Sequence, residues 1–422
     1  MKGTALCRKL SAFSSPPIST KYRLLPERDD DASRAAVLTV SDLPFALAIY
    51  DDAERLSVAW DELAGDNLFL KRAFLQALQN SPPPGVSFLY VAFLDPSDTM
   101  VGIAYLQLTD FDTFRHINWE SVQAWTRPLQ QQLAKRLRFR LLVCGNLLLT
   151  GRHGFAFAPS LTPTGDWLHL ALEALADHLA EENRPVQSFM VKDLPQEDPF
   201  GAALIDRGYH PAPFQPNMVM ELDPAWKDFE DYLDSLTSKY RVRARRAFKM
   251  AESLELKDMQ LREIVESEAE LHRLYRFIAD GADFNLVFLH RSYFTQLKTK
   301  LGTDFSLLGY FRDNRLLGFF TLIRNGRDLE AHFLGYEEED NRAYQLYLNM
   351  LFEIIRRGIW MGCRRIIFSR TAMTIKSSVG ATPKVMQAFI RHENPLFNRF
   401  VPGLIDLLEP EANWQQRHPF GR

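Results

Sequence analysis

The strongest constraint on this chain is that one order of elements runs through it twice. A hairpin whose second strand reads apolar-apolar-Gly-apolar occurs as MVGIAY at 100–105 and again as LLGFFT at 316–321. The first hairpin strand is a short apolar run in both places, SFLYVAFLD at 87–95 and FSLLGYFRD at 305–313, and a polar turn joins it to its partner. A later segment in each block spaces apolar residues at helical period, at 168–182 and 343–361. Each of these leads into another buried strand, SFMVKDL at 188–194 and RRIIFSR at 364–370. Antiparallel strands followed by a strand–helix–strand unit predict an α/β fold of the α+β kind, a mixed sheet with helices, present twice.

The periodicity divides the 422 residues into four spans. Residues 1–37 are polar and irregular and are expected to be disordered or extended. They carry Lys2, Arg8, Lys9, Lys21 and Arg23 with no acid in the first 26 positions, a targeting-peptide composition that Pro16 and Pro17 interrupt. The first domain is expected at 38–223 and the second at 224–410, with the break at Asp223-Pro224 and a strand at 218–222 closing the first. Residues 411–422 remain as a tail. A helix is expected around 118–136, and Trp119, Trp125, Trp167 and Trp360 read as core. A net charge of −3 gives no global attraction to nucleic acid or membrane. Three distant cysteines make neither a disulfide framework nor a metal pattern, and no apolar run reaches membrane-spanning length. A cytoplasmic protein without bound metal is the expectation.

The order of elements resembles the GNAT acyltransferase superfamily, and more narrowly the tandem-GNAT, Fem-like proteins of peptidoglycan biosynthesis or recognition. The resemblance covers about residues 40–410. It is most specific in SKYRVRARRAFK (238–249), FLGYEEEDNRAYQLYLNMLFEII (333–355) and IIFSRTAMTIKSSVGATP (366–383). NLFLKRAFLQAL, VGIAYLQ and VCGNLLLTGRHGF carry a looser match in the first half. The resemblance implies two tandem GNAT-like domains and an N-acyltransferase that moves an acyl or aminoacyl group to an amine, with a small molecule or cell-wall precursor as acceptor. It implies an acyl donor such as aminoacyl-tRNA or an acyl-CoA, so tRNA becomes a partner. The other reading is a non-catalytic module that kept the fold and binds an anionic ligand.

Residue chemistry picks out three places. Tyr240, Ala244, Ala247, Phe248 and Ala251 form one face of a helix, and Lys239, Arg241, Arg243, Arg245, Arg246 and Lys249 surround the other. Such a stripe grips phosphate, or is simply a solvated face; Lys239, Arg241, Arg245 and Lys249 are the donor-binding candidates. Arg370, Lys376 and Ser377 leave the C-terminal end of a strand, where crevices open in α/β sheets, and complete the donor set. His332 is the candidate base, since the resemblance places a proton acceptor in that strand. Strict alternation puts Glu330 and Leu334 on its side, and Tyr336 is a candidate acid. The resemblance also exposes a departure. A glycine-rich pyrophosphate loop is expected after this strand, yet Glu337-Glu338-Glu339-Asp340 stands there, with Asp340 the expected helix cap. Four carboxylates oppose a pyrophosphate and weaken the case for coenzyme A.

Overall fold

The computed structural model describes residues 20–22, 36–112, 138–281, 287–408 and 414–421. The helix expected around 118–136 lies outside these residues, as do Trp119 and Trp125. The first half begins with β1 (Thr20–Tyr22), β2 (Ala36–Val40) and β3 (Ala46–Tyr50). Thus part of the segment expected to lack structure is an edge strand, paired antiparallel with β2. Next come α1 (Val58–Ala64), α2 (Arg72–Gln79), β4 (Val86–Leu94), β5 (Met100–Asp112), β6 (Arg138–Cys144) and β7 (Phe155–Phe157). Then follow α3 (Gly165–Glu181), β8 (Ser188–Pro195), α4 (Pro199–Asp206), β9 (His210–Pro213) and β10 (Asn217–Glu221).

The second half repeats the plan. It opens with α5 (Phe229–Ser235), α6 (Ser238–Ala251), β11 (Glu255–Asp258), α7 (Leu261–Glu266), α8 (Glu268–Asp280) and α9 (Tyr293–Leu301). The antiparallel strands β12 (Phe305–Arg312), β13 (Arg315–Asn325) and β14 (Asp328–Tyr336) come next, then α10 (Glu338–Tyr344) and α11 (Leu346–Trp360). It ends with β15 (Arg365–Ile367), α12 (Met373–Ser377), β16 (Thr382–Lys384), β17 (Met386–His392), α13 (Pro395–Asn398) and α14 (Val401–Leu408). The helix expected over 343–361 breaks at Gln345, whose left-handed backbone (φ 49°) no helix interior tolerates. Trp360 closes α11 with 81% of its surface exposed and is not core.

The repeat is physical. Gly102 pairs with Phe93 and Phe157, and Gly318 pairs with Tyr310 and Tyr336, at matching places on the second hairpin strand. Close approach explains both glycines. A Cβ on Gly102 would lie 2.5 Å from the Phe157 ring, and one on Gly318 would lie 3.0 Å from Met350 Cε and 3.1 Å from the Gly335 carbonyl.

The sheets do not respect the break at residue 223. The first runs β1-β2-β3-β4-β5-β6-β8-β17-β9, with β7 on β5, and the second runs β11-β12-β13-β14-β15-β10-β16. The strand expected to close the first half, β10, sits between β15 and β16 of the second. In return β17 sits between β8 and β9 of the first. Each half gives its last strand to the other. A shared core joins them as well: Trp60, Phe69, Phe74 and Tyr105 pack in one cluster with Tyr293, Phe294, Leu297 and Phe319.

This exchange makes a clear expectation for proteolysis. Residues 223–225 are exposed and lie between two secondary-structure elements, so a protease site engineered there should be cut readily. The two fragments should nevertheless co-elute on size exclusion and separate only in denaturant. Separation in native buffer would contradict the exchanged topology.

Candidate functional site

The second sheet opens at its centre. β14 and β15 pair in parallel only over Asp328↔Arg365, Leu329↔Ile366 and Glu330↔Ile367. On its other edge β15 pairs with β10 over the same residues, and past Ile367 this side continues: Phe368 N donates to Met218 O at 2.8 Å, and Met218 N donates to Ser369 O at 3.1 Å. The pairing with β14 ends at Glu330, and a wedge opens beyond the carboxyl end of β15.

The main cavity lies beside that opening. Its volume is about 700 Å³, and its lining includes Lys239, Tyr240 and Arg243 from α6, Gln215, residues 372–375 and Ser378 beside α12, and Trp414 and Arg417 from the C-terminal segment. Helix α6 forms because its fourteen residues are rich in Ala, Arg and Lys, good helix formers. Ala244 and Ala247 are fully buried and let it pack closely. Lys239 and Arg243 are four apart and so share a face with Tyr240. Arg243 Nη1 donates to Ser378 Oγ at 3.0 Å, which ties the helix to the far wall.

Two of the four α6 candidates serve other ends, and a third is spent on structure. Arg245 and Lys249 follow the row set about 200° round the helix from Arg243 and are exposed outside the cavity. Arg241 donates to the backbone carbonyls of Asp234 and Leu236 at 3.1 and 3.0 Å and closes the end of α5. Ser377 Oγ donates to Thr374 O and accepts from Arg417 N at 3.0 Å, so it holds the tail. Lys376 is buried behind the cavity wall, donating to Ser369 O and Arg370 O at 3.3 and 2.5 Å. Burial pushes its pKa down to about 7.

Arg370 is committed elsewhere. Its guanidinium is ion-paired with the fully buried Asp193 of β8 and donates to Gln215 O at 2.9 Å. It does not reach the acids at 337–340, which pair instead with Arg273, Arg315 and Arg342. Asp193 also pairs with the buried Lys192 and accepts from Gly151 N at 3.0 Å. Burial raises the Asp193 pKa, but Lys192 and Arg370 outweigh it, and the net shift is downward. One carboxylate thus holds two cations, the buried Lys192 and the partly buried Arg370, one from each half of the chain.

His332, Glu330 and Tyr336 lie apart from the cavity lining. A bulge explains their directions: Phe320 pairs with Leu334 and Leu322 with Ala331, so Thr321 faces both His332 and Phe333. Thr321 Oγ1 donates to Phe333 O at 3.0 Å and accepts from Phe333 N at 2.8 Å. The extra residue breaks strict alternation. Leu334 packs with Ala331 and Tyr336 in one core, while Phe333 packs in the other. His332 Nε2 lies 2.8 Å from the Tyr293 hydroxyl, with Phe69 stacked at 6.4 Å. Burial pushes its pKa down to about 3, so the ring is neutral at pH 7. Glu330 is not its partner among the described residues. Asn325 Nδ2 donates to Glu330 at 3.4 Å, and burial raises the Glu330 pKa to about 8. Tyr336 lies beside Tyr347, with ring centres 6.0 Å apart and the rings tilted at 37°, and its pKa is pushed up to about 12, chiefly by burial.

The segment after β14 is filled by the chain itself. Glu337, not Asp340, is the residue before α10. The buried Asn349 donates to Ala247 O, Tyr344 O and Gln345 O at 3.0, 3.0 and 3.1 Å. Asn341 Oδ1 accepts from Tyr347 N at 3.1 Å. Side chains thereby occupy the turn where a pyrophosphate-binding loop was expected from the resemblance.

No family model matches the chain, and no curated protein matches it in sequence. Its structure is similar to that of FemX, with a TM-score of 0.52 at 12% identity over 82% of this chain and 99% of that one. Two other solved structures are a tandem GNAT protein from the clavulanic acid biosynthesis pathway and L-PGS from Bacillus licheniformis. They match at TM-scores of 0.47 and 0.46, both at 13% identity, over 83% and 85% of this chain and 99% and 95% of theirs. The chain has the fold seen in FemX.

Two measurements probe this electrostatic layout. Asp193→Asn leaves the buried Lys192 and the partly buried Arg370 without their carboxylate and should cost about 3–5 kcal/mol in urea denaturation. A loss below about 1 kcal/mol would mean the trio is solvated. Glu330 has a folded pKa near 8 against 4.5 unfolded, so the folded state holds a proton that the unfolded state has lost between those values. Its stabilising effect is complete below pH 4.5 and is lost as pH rises to 8. Wild-type stability should therefore fall relative to Glu330→Gln by up to about 1.4 kcal/mol per pH unit across that window. Parallel stability profiles would refute the raised pKa.

Proposed function

We propose that the chain is an acyl- or aminoacyltransferase that moves an acyl group from a phosphate-bearing donor to an amine, with a cell-wall precursor among the acceptors to be tried. The carrying observation is the cavity beside the wedge, where Lys239, Arg243 and Arg417 all line the wall and, among the described residues, no carboxylate does. Guanidinium and ammonium groups placed together suit phosphate oxygens. The volume falls in the range of ligand sites, about 300–1,000 Å³. The fold supports acyl transfer by analogy, and the site carries the argument.

The reaction is nucleophilic addition and elimination. The acceptor's neutral amine attacks the donor carbonyl, a C–N bond forms, and the bond to the donor's oxygen or sulfur breaks. The proton lost by nitrogen ends on the leaving group or solvent. Holding both reactants at the wedge makes the attack effectively intramolecular, which alone supplies a large share of the barrier reduction. Lys376, with a pKa near 7 and bonded to the carbonyls of Ser369 and Arg370, fixes the wall that the donor lies against. His332 is turned toward Tyr293 and is not assigned the proton transfer.

Aminoacyl-tRNA is favoured over coenzyme A as donor. The turn after β14 is closed by Asn349 and Asn341, whose side chains already bond the backbone groups there. A thermal-shift screen of acetyl-CoA and charged tRNA should show markedly greater stabilisation by charged tRNA. Lys239→Ala and Arg243→Ala should each weaken that binding about 10- to 150-fold, the loss of one charge-assisted contact. Added salt should weaken the wild type more than either variant. Micromolar affinity for acetyl-CoA would reassign the donor, and tight binding without product on a panel of amines would favour the non-catalytic reading.

A further inference from the structure

The C-terminal segment is part of the cavity, and its attachment shows how. Thr237 N, at the start of α6, donates to Pro419 O at 2.8 Å, and Leu236 forms an antiparallel bridge with Phe420. The Phe420 ring lies 5.8 Å from Trp226 and 6.2 Å from Tyr232. It also covers Gly380 so closely that a Cβ there would be 2.6 Å from it. On the opposite wall, Gln415 N donates to Thr374 Oγ1 at 3.3 Å and Arg417 N to Ser377 Oγ at 3.0 Å. Residues 414–421 thus bridge the helix α6 wall and the α12 wall, and the stitching uses backbone groups and Phe420. The side chain of Arg417 lines the cavity, as does that of Trp414, which also packs in part against the core of the second half.

We infer that this segment is a ligand-binding wall: Arg417 joins Lys239 and Arg243 on a phosphate, and Trp414 stacks on a flat ring attached to it, so the cavity takes a nucleoside phosphate. The inference rests on the reading of the cavity as the donor site and adds the residues that recognise the donor's end. Among the described residues that line the cavity beside Arg417 there is no carboxylate. Trp414 and Tyr240 supply aromatic faces around the cations, and stacking on such faces accepts any base. A bare anion would use the cations alone; rings and cations lining one cavity fit a ligand that has both parts.

The test is calorimetry with AMP and inorganic pyrophosphate as probes on the full chain. Wild type should bind both. Arg417→Ala should weaken both about tenfold or more, as should Lys239→Ala. Trp414→Ala should weaken AMP about fivefold or more and leave pyrophosphate within about twofold. These substitutions keep the bonds of Thr237, Gln415 and Arg417 backbone groups. Arg417→Lys, which preserves charge and most of the side-chain length, should recover part of the pyrophosphate affinity whatever the truncation does to folding. If the Arg417 and Trp414 variants bind AMP like wild type while Lys239→Ala does not, the tail is only structural and the cavity reading survives. If Trp414→Ala weakens both probes equally, ring recognition is wrong. If wild type binds neither probe, the inference and the cavity reading both fall.

Discussion

Each sheet of this protein is incomplete without a strand from the other half, and the wedge lies beside one such exchanged strand. β15 lies between β14 and β10, a strand the first half supplies, and pairs with both over residues 365–367. Backbone N–H and C=O groups in a sheet interior must find partners. Beyond Ile367 the chain keeps its bonds to β10 through Phe368 and Ser369, while its pairing with β14 stops at Glu330, and the sheet opens there. The reciprocal strand β17 closes the first sheet between β8 and β9. The trio Lys192, Asp193 and Arg370 lies at the same crossing and fixes the relative placement of the two halves electrostatically. A rigid opening between two layers is what a positional mechanism of catalysis requires.

Much of this was legible in the sequence. The hairpins, the helix over 168–182 and the two glycines follow from short-range periodicity and stand where periodicity put them, while the helix expected over 343–361 is interrupted at Gln345. What periodicity lacks is the identity of a strand's neighbours. MVMEL at 218–222 reads as a buried strand whichever sheet it joins, and only the long-range pairing with Ile367 and Thr382 decides. Likewise MQAFIRH at 386–392 carries no sign that its neighbours are residues 188–195 and 210–213. Non-local pairing is invisible to a window of a dozen residues.

The candidate site shows the same limit at the level of side chains. The stripe on α6 was correctly seen as basic, but two rows of cations lie on that helix, 200° apart. Choosing between them needs the opposite wall. Lys239 and Arg243 face Thr374 and Ser378, whereas Arg245 and Lys249 face solvent. In β14, one bulge opposite Thr321 defeats the alternation that aligned Leu334 with His332. Trp414 and Arg417 carry no local motif at all, and only the stitching of the tail to Thr237, Thr374 and Ser377 brings them to the cavity.

The distribution of charge then becomes intelligible. A chain of net charge −3 presents a local cationic cavity because its acids near that end are engaged elsewhere. Asp234 holds Arg241, and Glu337, Glu338 and Asp340 hold Arg273, Arg342 and Arg315. These exposed pairs contribute little stability, about 0–1 kcal/mol each. Their consequence is local: the carboxylates that would cancel the cavity's field already have partners, so the Lys239, Arg243 and Arg417 charges act together. Lys376, buried behind the wall and with its pKa lowered by burial to about 7, is tied to the same face through the carbonyls of Ser369 and Arg370.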